Sequence, residues 1–222
     1  MSQAIRHPDD HAVSATEPRG PIRVSPHSRS HRLGRTFWGF VWMVFFRTSP
    51  RPLHRWRNML LRLFGAQLHP TARVYPRAKI WAPWNLVMHE HSCLADDVDC
   101  YAVARIEIGA FSTISQYSYL CAATHDFEHP DHTLVPLPIT IGRRVWIAAD
   151  VFVAPGVTVG DGAVVGARSS VFSDLPGWTV AIGSPARPCR ERGLRAADFG
   201  ETERDQPVPG LTTDEARGKE HS

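Results

Sequence analysis

The chain has 222 residues, of which 43% are hydrophobic and 21% are charged, an ordinary globular composition. This composition excludes a fully disordered chain, a collagen-like fibre and a polytopic membrane protein. The formal net charge is only +3, but thirteen arginine or lysine residues and no acidic residue lie from Arg19 to His89, which favours attraction to an anionic surface or ligand.

Four segments follow one another along the chain. Residues 1–33 are polar and rich in Pro, Ser, His and Arg, which predicts a disordered arm and no signal peptide. Residues 34–65 form an apolar and amphipathic segment, whose apolar run from Thr36 to Phe46 is too short to span a bilayer. Residues 66–190 hold a repeat, and residues 191–222 read as a flexible polar tail.

The second half of the 34–65 segment predicts an amphipathic helix. Its apolar side chains recur at helical spacing with arginines between them, and Gly65 is a plausible stop signal. Such a segment either caps the open end of a repeat fold or packs in an oligomer, or it lies on an anionic membrane surface. These interpretations stay open here. The apolar positions are Leu53, Trp56, Leu60, Leu61 and Phe64.

The repeat is an aliphatic residue at every sixth position. A period of six is neither helical nor a simple alternation, so it predicts short strands joined by tight turns that stack around one core. A small residue after most of these positions lets the chain turn closely. Between the first three groups of repeat positions the spacing is eight residues instead of six. The repeat positions are Leu68, Val74, Ile80; Met88, Leu94, Cys100; Ile108, Ile114, Leu120; and Ile141, Ile147, Val153, Val159, Val165, Val171.

Several motifs set in these hexads resemble the hexapeptide-repeat acyltransferases. The resemblance is closest to the sugar O-acetyltransferases of the colanic acid biosynthesis type, next to the maltose, galactoside and nodulation-factor acetyltransferases. The motifs are RNMLLRLFGA (57–66), APWNL (82–86), IEIGAFSTISQYSYLCAATHDF (106–127), PITIGRRVWIAADVFVAPGVTVGDGAVVGARSSV (138–171) and GSPAR (183–187).

The resemblance implies an all-β fold, a left-handed parallel β-helix with a short N-terminal helical segment. It also implies a cytoplasmic homotrimer that transfers an acetyl group from acetyl-CoA to a sugar hydroxyl in polysaccharide biosynthesis. If the acceptor is lipid-linked, we expect the protein at the inner face of the membrane. No nucleic-acid partner is expected.

The hexad rule fails between Leu120 and Ile141, which are 21 residues apart, three more than one full coil of the family. Polar excursions from a regular solenoid are where binding sites tend to lie. His125 opens this excursion, and an imidazole suits the removal of a hydroxyl proton. The resemblance implies that His125 is the general base of a direct transfer, with no acyl-enzyme.

Further site residues follow from the same resemblance. Asp97, one coil before the histidine, would accept a hydrogen bond from the acceptor sugar. The backbone amide of Ala149 would stabilise the oxyanion. A Thr-Lys pair common in this branch is replaced by Phe172 and Ser173, which leaves the contact to the CoA 3′-phosphate unassigned. The predicted contacts to the pantetheine arm and phosphates are Trp146, Ala148, Ala149, Gly166, Ala167, Arg168 and Arg187.

Two alternatives belong to other classes of protein. A metal site is one alternative, because three histidines follow one another closely at His125, His129 and His132. These side chains would share one face only in a helix, which Pro130 makes doubtful. The four cysteines form no C-x-x-C pair. We therefore expect no metal. The alternatives are a zinc-binding β-helix protein and a non-catalytic scaffold that kept the repeats.

Overall fold

In the computed structural model of the chain, residues 29–193 are described. Most of the predicted 1–33 arm and nearly all of the 191–222 tail lie outside these residues. From Gln67 onward, short strands alternate with tight turns and wind into five complete coils and a partial sixth, with all coil-to-coil pairs parallel. The predicted left-handed parallel β-helix is thereby confirmed.

Each coil contributes one strand to each of three sheets, and strands are numbered in chain order. The first sheet holds β1 (Gln67–Leu68), β4 (Leu86–Met88), β7 (Ile106–Ile108), β12 (Ile139–Ile141) and β15 (Thr158–Val159). The second sheet holds β2 (Arg73–Val74), β5 (Cys93–Leu94), β8 (Thr113–Ile114), β13 (Trp146–Ile147), β16 (Val164–Val165), β18 (Thr179–Gly183) and the antiparallel β19 (Ala186–Glu191). The third sheet holds β3 (Lys79–Ile80), β6 (Asp99–Tyr101), β9 (Tyr119–Cys121), β14 (Phe152–Val153) and β17 (Ser170–Val171).

The hexad residues form the core between the three sheets. Ile141 pairs with Val159 one coil later, a spacing of 18 residues, and both side chains are almost completely buried. In the early coils the spacing is 20, as between Leu68 and Met88. The two additional residues lie where the third sheet passes to the first, at the 3₁₀ turn Pro83–Asn85 in the second coil. The slips in the repeat are therefore small bulges at one corner.

The small residues after the hexad positions are required by close stacking of the coils. A Cβ atom added at Gly142 would lie 2.8 Å from the backbone nitrogen of Asp161 on the next coil. At Gly160 it would lie 2.8 Å from the Cα of Gly177. Neither glycine has a positive φ, so the constraint is space between coils rather than backbone conformation.

The polar excursion is an antiparallel hairpin that leaves the solenoid. Ile108 pairs with Ile141, 33 residues later, where regular coils need 18. The extra residues include β10 (Ala123–His125) and β11 (Leu134–Pro136). The sequence count of three extra residues was wrong, because Leu120 and Ile141 lie on consecutive sheets, between which six residues suffice.

Two helices cover the first coil. Helix α1 (Arg29–Val41) continues into a π-helical turn (Trp42–Phe46), and helix α2 (His54–Leu63) follows. We call residues 29–64 the N-terminal cap. Its buried side chains include Trp38, Phe46 and Leu61. None of the described helices is both long and apolar enough to cross a bilayer.

The cap satisfies backbone carbonyls that the first coil leaves open at the end of the solenoid. Trp38 Nε1 donates to Ile80 O at 2.7 Å, and Asn58 Nδ2 donates to Ala72 O at 2.7 Å. An uncovered solenoid end would expose a row of unpaired groups. The capping interpretation of this segment therefore agrees with the contacts. The further donors are Trp42 to Ala78 O, Arg57 to Val74 O and Arg62 to Leu68 O.

Candidate active site

His125 is the last residue of β10 and is held by its own hairpin. Its backbone pairs with Leu134 of β11, and its Nδ1 lies 2.6 Å from the carbonyl oxygen of His132. A carbonyl only accepts, so Nδ1 carries a proton, and in the neutral ring Nε2 holds the lone pair. The ring is solvent-exposed. A side chain in this state can accept a proton through Nε2.

The loop that joins the two hairpin strands is ordered by Asp126. Its Oδ1 accepts hydrogen bonds from the backbone N–H groups of Glu128 (3.1 Å) and His129 (3.3 Å). The Asp126 N–H in turn donates to Thr133 O at 2.9 Å. These bonds fix the chain on both sides of the His132 carbonyl that holds His125.

The predicted pantetheine contacts lie together where the second sheet passes to the third, which we call the second–third corner. Ile147 pairs with Val165, so Ala148 and Ala149 of the fourth coil stack under Gly166 and Ala167 of the fifth. Trp146 projects from the second sheet, half-exposed, and its Nε1 donates to Ser115 Oγ at 3.1 Å. At this corner Ala149 and Ala167 reach the surface beside one indole ring, whereas Ala148 is buried and Ile182 fills the space beside Gly166.

Ala149 lies in the turn at this corner, between Ala148 and Asp150. The N–H of Ala148 donates to Val165 O, and the N–H of Asp150 donates to Gln116 O. Among the residues the structure describes, the Ala149 N–H has no hydrogen-bond acceptor. The group is therefore available to an external acceptor.

The two predicted arginines lie on the same side of the solenoid. Arg168 is at the second–third corner, largely exposed, with its Nε 3.4 Å from Asp150 Oδ2. Arg187 is on β19, which extends the second sheet beyond β16 and β18, and its Nη1 donates to Ala186 O at 3.3 Å. Phe172 instead lies on the third sheet, with its ring 5.7 Å from that of Phe152.

Asp97 lies at the second–third corner two coils before Ala149. Its carboxylate forms a 2.6 Å salt bridge with Arg77 of the preceding coil. Its neighbour Asp96 is more buried and binds Arg51 at 2.8 Å. Both acids line a cleft of about 460 Å³, together with Tyr75, Cys93, Thr113 and Ser115.

The cleft is polar but contains no activated thiol. Burial raises the pKa of the Cys93 thiol, although Arg73 lowers it in part. The thiol therefore stays neutral and acts as a lining group. The hydrogen-bonding groups of this cleft are carboxylates, arginines and hydroxyls, which suits a polyhydroxylated molecule.

The structure places the predicted site residues other than His125 along the second sheet and the second–third corner, with Asp97 two coils from Ala149. The base of its hairpin lies where the third sheet passes to the first, since Leu137 lies 3.7 Å from where a Gly156 Cβ would stand. Ala149 is at a different corner of the triangular solenoid. His125 and Ala149 of one chain therefore flank opposite ends of the third sheet.

No metal centre is apparent in residues 29–193, where no three His, Cys, Asp or Glu side chains are arranged to hold an ion. His129 is turned into its own loop, and its Nδ1 accepts from the Asp131 N–H at 3.2 Å. The segment from Asp126 to His132 is an irregular loop rather than a helix. The spacing of its histidines therefore does not place them on one helical face.

Sequence reasoning missed two buried serines that join the third and fourth coils, between which the hairpin is inserted in the sequence. Ser112 Oγ donates to Gly142 O at 2.6 Å and accepts from the Val145 N–H at 2.9 Å. Ser118 Oγ donates to Ala148 O at 2.9 Å and accepts from the Val151 N–H at 3.3 Å. Both serines stand two residues before a hexad position. The later coils mostly have valine, isoleucine or alanine at that place, so a serine there was the signal that the sequence offered.

Comparison with known proteins gives one family and a group of structural neighbours. Residues 138–173 match the family described as bacterial transferase hexapeptide (six repeats). The chain is 50% identical over 155 residues to the putative colanic acid biosynthesis acetyltransferase WcaF of Escherichia coli (strain K12), which covers 70% of this chain and 85% of that protein.

Two solved structures have the same fold. A maltose O-acetyltransferase from Clostridium difficile 630 superposes with a TM-score of 0.68 at 25% identity, covering 75% of this chain and 90% of that one. A hexapeptide-repeat-containing acetyltransferase, VCA0836, from Vibrio cholerae O1 biovar eltor was solved with acetyl-CoA bound. It gives a TM-score of 0.68 at 27% identity, covering 75% of this chain and 91% of that one.

Proposed function

Because the chain belongs to the hexapeptide-repeat acyltransferases, we propose that it transfers an acetyl group from acetyl-CoA to a sugar hydroxyl during polysaccharide biosynthesis. The enzyme is an acyltransferase with acetyl-CoA as its co-substrate, in agreement with the name of WcaF and with the acetyl-CoA complex of VCA0836. The relative that is 50% identical is named for colanic acid biosynthesis, which supports a polysaccharide acceptor.

His125 is the general base in this proposal, and its contact with His132 O carries the argument. In the neutral ring, the 2.6 Å hydrogen bond selects the tautomer with a free lone pair on Nε2. It also fixes the direction in which that lone pair points. General base catalysis is worth about 10²–10⁴-fold in rate.

The reaction is a direct acyl transfer. The acceptor hydroxyl gives its proton to His125 Nε2 while its oxygen attacks the thioester carbonyl carbon, and the C–O bond forms. The carbonyl then re-forms as the C–S bond breaks. The CoA thiolate leaves and takes the proton back from the imidazolium, so no oxidant, metal or acyl-enzyme is required.

The Ala149 N–H is the proposed donor to the oxyanion that develops on the carbonyl oxygen. Its lack of an acceptor in the described chain supports this role. Ser118 holds the turn through Ala148 O and Val151 N–H, so the donor is preorganised. A fixed backbone donor in such a place is worth about 10²–10³-fold in rate.

Acetyl-CoA would lie along the second–third corner of the last coils. Ala149 and Ala167 present only methyl groups to the pantetheine arm beside Trp146, and Arg168 and Arg187 are available to phosphates. Ala148 and Gly166 would act through their backbone, because Ala148 is buried and Ile182 fills the space beside Gly166. Asp97 would act in the cleft earlier on the same corner, where its bond to Arg77 holds the carboxylate in place.

The complete site is proposed to lie between subunits of a homotrimer. Within one chain His125 and Ala149 are at different corners of the solenoid, whereas a neighbouring subunit can bring its hairpin to the second–third corner. This arrangement makes each site depend on two chains.

His125→Asn tests the proposal. The asparagine side-chain amide can still donate to His132 O, as Nδ1 does, but it cannot accept the proton. We expect kcat to fall by about 10²–10⁴-fold, while acetyl-CoA binding measured by calorimetry stays within twofold. Acceptors from purified exopolysaccharide repeat units would be screened with the unmodified enzyme.

A control and two contrary outcomes complete this test. Cys121 lies four residues before His125, and its Sγ contacts Ala123 O at 3.2 Å, so Cys121→Ala should retain full activity. Loss of activity in Cys121→Ala would contradict a direct transfer. Absence of acetyl-CoA binding by the unmodified protein would contradict the proposed function as a whole and favour a scaffold.

A further inference from the structure

The outer face of the N-terminal cap is apolar and exposed. Phe37 and Phe40 on α1 are 61% and 59% exposed, and Met43 in the following turn is 62% exposed. Leu33, Phe37, Phe40 and Val44 follow one another at intervals of four, three and four residues, which places them on one side of the helix. Trp38 and Val41 lie on a different side of the helix and are buried.

Helix α2 extends the same surface. Trp56, Met59 and Leu63 are exposed at intervals of three and four residues. Trp56 Nε1 donates to Phe45 O at 3.0 Å near the start of α2, and Phe64 after its end stacks on Phe37 at 5.5 Å. The two helices therefore run antiparallel, and their exposed stripes adjoin. We call this surface the apolar cap face.

The charges around the apolar cap face have one sign. The cap, residues 29–64, contains eight arginines and no acidic residue. Arg32, Arg47 and Arg55 are exposed, and within the described part of the chain none of the three forms a salt bridge. Arg51 is different, because it is bound to Asp96. Apolar side chains flanked by uncompensated arginines are the composition of an interfacial helix.

We propose that the apolar cap face docks on the surface of an anionic lipid bilayer. The phenylalanines and Trp56 would enter the boundary between headgroups and acyl chains, and Arg32, Arg47 and Arg55 would contact the lipid phosphates. The cap would lie on the membrane rather than cross it, since both helices keep their opposite sides packed on the first coil. The solenoid would then extend from the membrane into the aqueous phase.

Charge decides between a bilayer and a cap-to-cap pair of chains. Two copies of the apolar cap face brought together would place many arginines against one another, with no acid in either cap to compensate them. An anionic bilayer supplies the missing negative charge and the apolar phase at once. The bilayer is therefore the occupant that fits.

Vesicle flotation of the full-length protein tests the inference. We expect binding to phosphatidylcholine vesicles that contain phosphatidylglycerol, weak binding to phosphatidylcholine alone, and release as salt is raised. The double variant Phe37→Ser, Phe40→Ser should lower the partition coefficient about a hundredfold, since each phenylalanine that enters the bilayer is worth about tenfold. Arg47→Gln with Arg55→Gln should lower it about fivefold per arginine.

Phe127→Ser is the matched control for the phenylalanine variant. Phe127 is 81% exposed but lies on the hairpin loop rather than on the cap, so its replacement should leave vesicle binding unchanged. Thermal unfolding of each variant should match the unmodified protein, because the altered side chains are at the surface. Acetyl-CoA binding should also be unchanged in the cap variants, which separates this inference from the proposed function.

Two results would overturn the inference. One is vesicle binding that is equally strong without phosphatidylglycerol and in Phe37→Ser, Phe40→Ser. The other is a lack of binding to the vesicles that contain phosphatidylglycerol. A change of oligomeric state in Phe37→Ser, Phe40→Ser, measured by light scattering, would then assign the apolar cap face to a contact between copies.

Discussion

At the scale of single residues, the conformation of the turn that contains Ala149 makes the proposed oxyanion donor testable. Asp150, the next residue, has a φ of 59°, the left-handed conformation required at the third position of a type II turn. Pro155 precedes Gly156, whose φ is 80°, in the equivalent place at the next corner. Proline is favoured at the second position of such turns. The turn at Pro155 shows that this solenoid accommodates proline at the position that Ala149 occupies one corner earlier.

Ala149→Pro therefore removes one N–H with little change to the turn. If this N–H stabilises the oxyanion, kcat should fall by about 10²–10³-fold, while the circular dichroism spectrum and unfolding temperature are kept. Ala149→Gly retains the N–H and should keep most of the activity. Equal kcat values for the proline and glycine variants in steady-state assays would rule out the proposed donor.

The sequence could identify Ala149 only through the resemblance, because its side chain is a methyl group. His125 had a second signal, since it opens the polar break in the hexads. The bond from Nδ1 to His132 O could not be foreseen, as it depends on how the hairpin closes. The Arg77–Asp97 pair could not be foreseen either, since its partners lie 20 residues apart and meet only through coil stacking.

At the scale of elements, stacked coils and helices respond in opposite ways to an added methyl group. Gly142→Ala would bring a Cβ to 2.8 Å from Asp161 N, and backbone there cannot move without shifting the coil. Gly39 lies inside α1 with nothing within 4 Å of an added Cβ. Glycine in a helix is less favourable than alanine by about 0.5–1 kcal/mol.

The matched pair Gly142→Ala and Gly39→Ala should consequently move the unfolding temperature in opposite directions. We expect a loss of about 1–3 kcal/mol for Gly142→Ala and a gain of up to about 1 kcal/mol for Gly39→Ala. Differential scanning calorimetry at one protein concentration measures both. A stable Gly142→Ala protein would mean that the coils are less tightly stacked than described.

The attachment of the cap to the solenoid depends on Arg57, which is completely buried. Its guanidinium donates to Val74 O, Pro50 O and Arg51 O, and to Ser49 Oγ. Burial lowers the pKa of Arg57, but an arginine stays charged far above neutral pH. One side chain therefore joins the first coil to the loop between the two helices.

Arg57→Met should lower the free energy of unfolding by roughly 3 kcal/mol, since several buried acceptors lose their donor at once. Arg55→Met, at an exposed position of the same helix, should change it by less than about 0.5 kcal/mol. Denaturant unfolding of both variants measures the difference. Similar values for the two would show that the cap does not depend on this arginine.

The fold was more predictable than the cap because its signal is repeated. Fifteen hexad positions indicate the same strand-and-turn unit. Each strand of the coils is therefore marked by the few residues around its own hexad position. The amphipathic pattern of α2 identified a helix but not its partner, since apolar spacing does not distinguish a solenoid end from a membrane. The carbonyls of the first coil, exposed by the fold itself, determine which side of the helix turns inward.

At the scale of the whole molecule, the triangular cross-section separates His125 from Ala149, the two groups assigned to the proposed reaction. The hairpin leaves the corner between the third and first sheets, whereas Ala149 and the predicted CoA contacts lie at the second–third corner. The three-fold closure proposed above brings unlike corners of neighbouring chains into contact. A 24.8 kDa chain should therefore behave in light scattering as a particle of three chains.

Subunit mixing tests whether each site takes His125 from one chain and Ala149 from the next. Trimers of His125→Asn alone, or of Ala149→Pro alone, have no complete site and should be nearly inactive. When the two variants are unfolded together and refolded at equal ratio, about one quarter of the sites should combine an intact histidine with an intact amide. Steady-state activity should recover to about that fraction of the unmodified enzyme. Refolding each variant separately, then mixing, is the control without exchange, and failure of the co-refolded mixture to exceed it would place both groups of a site on one chain.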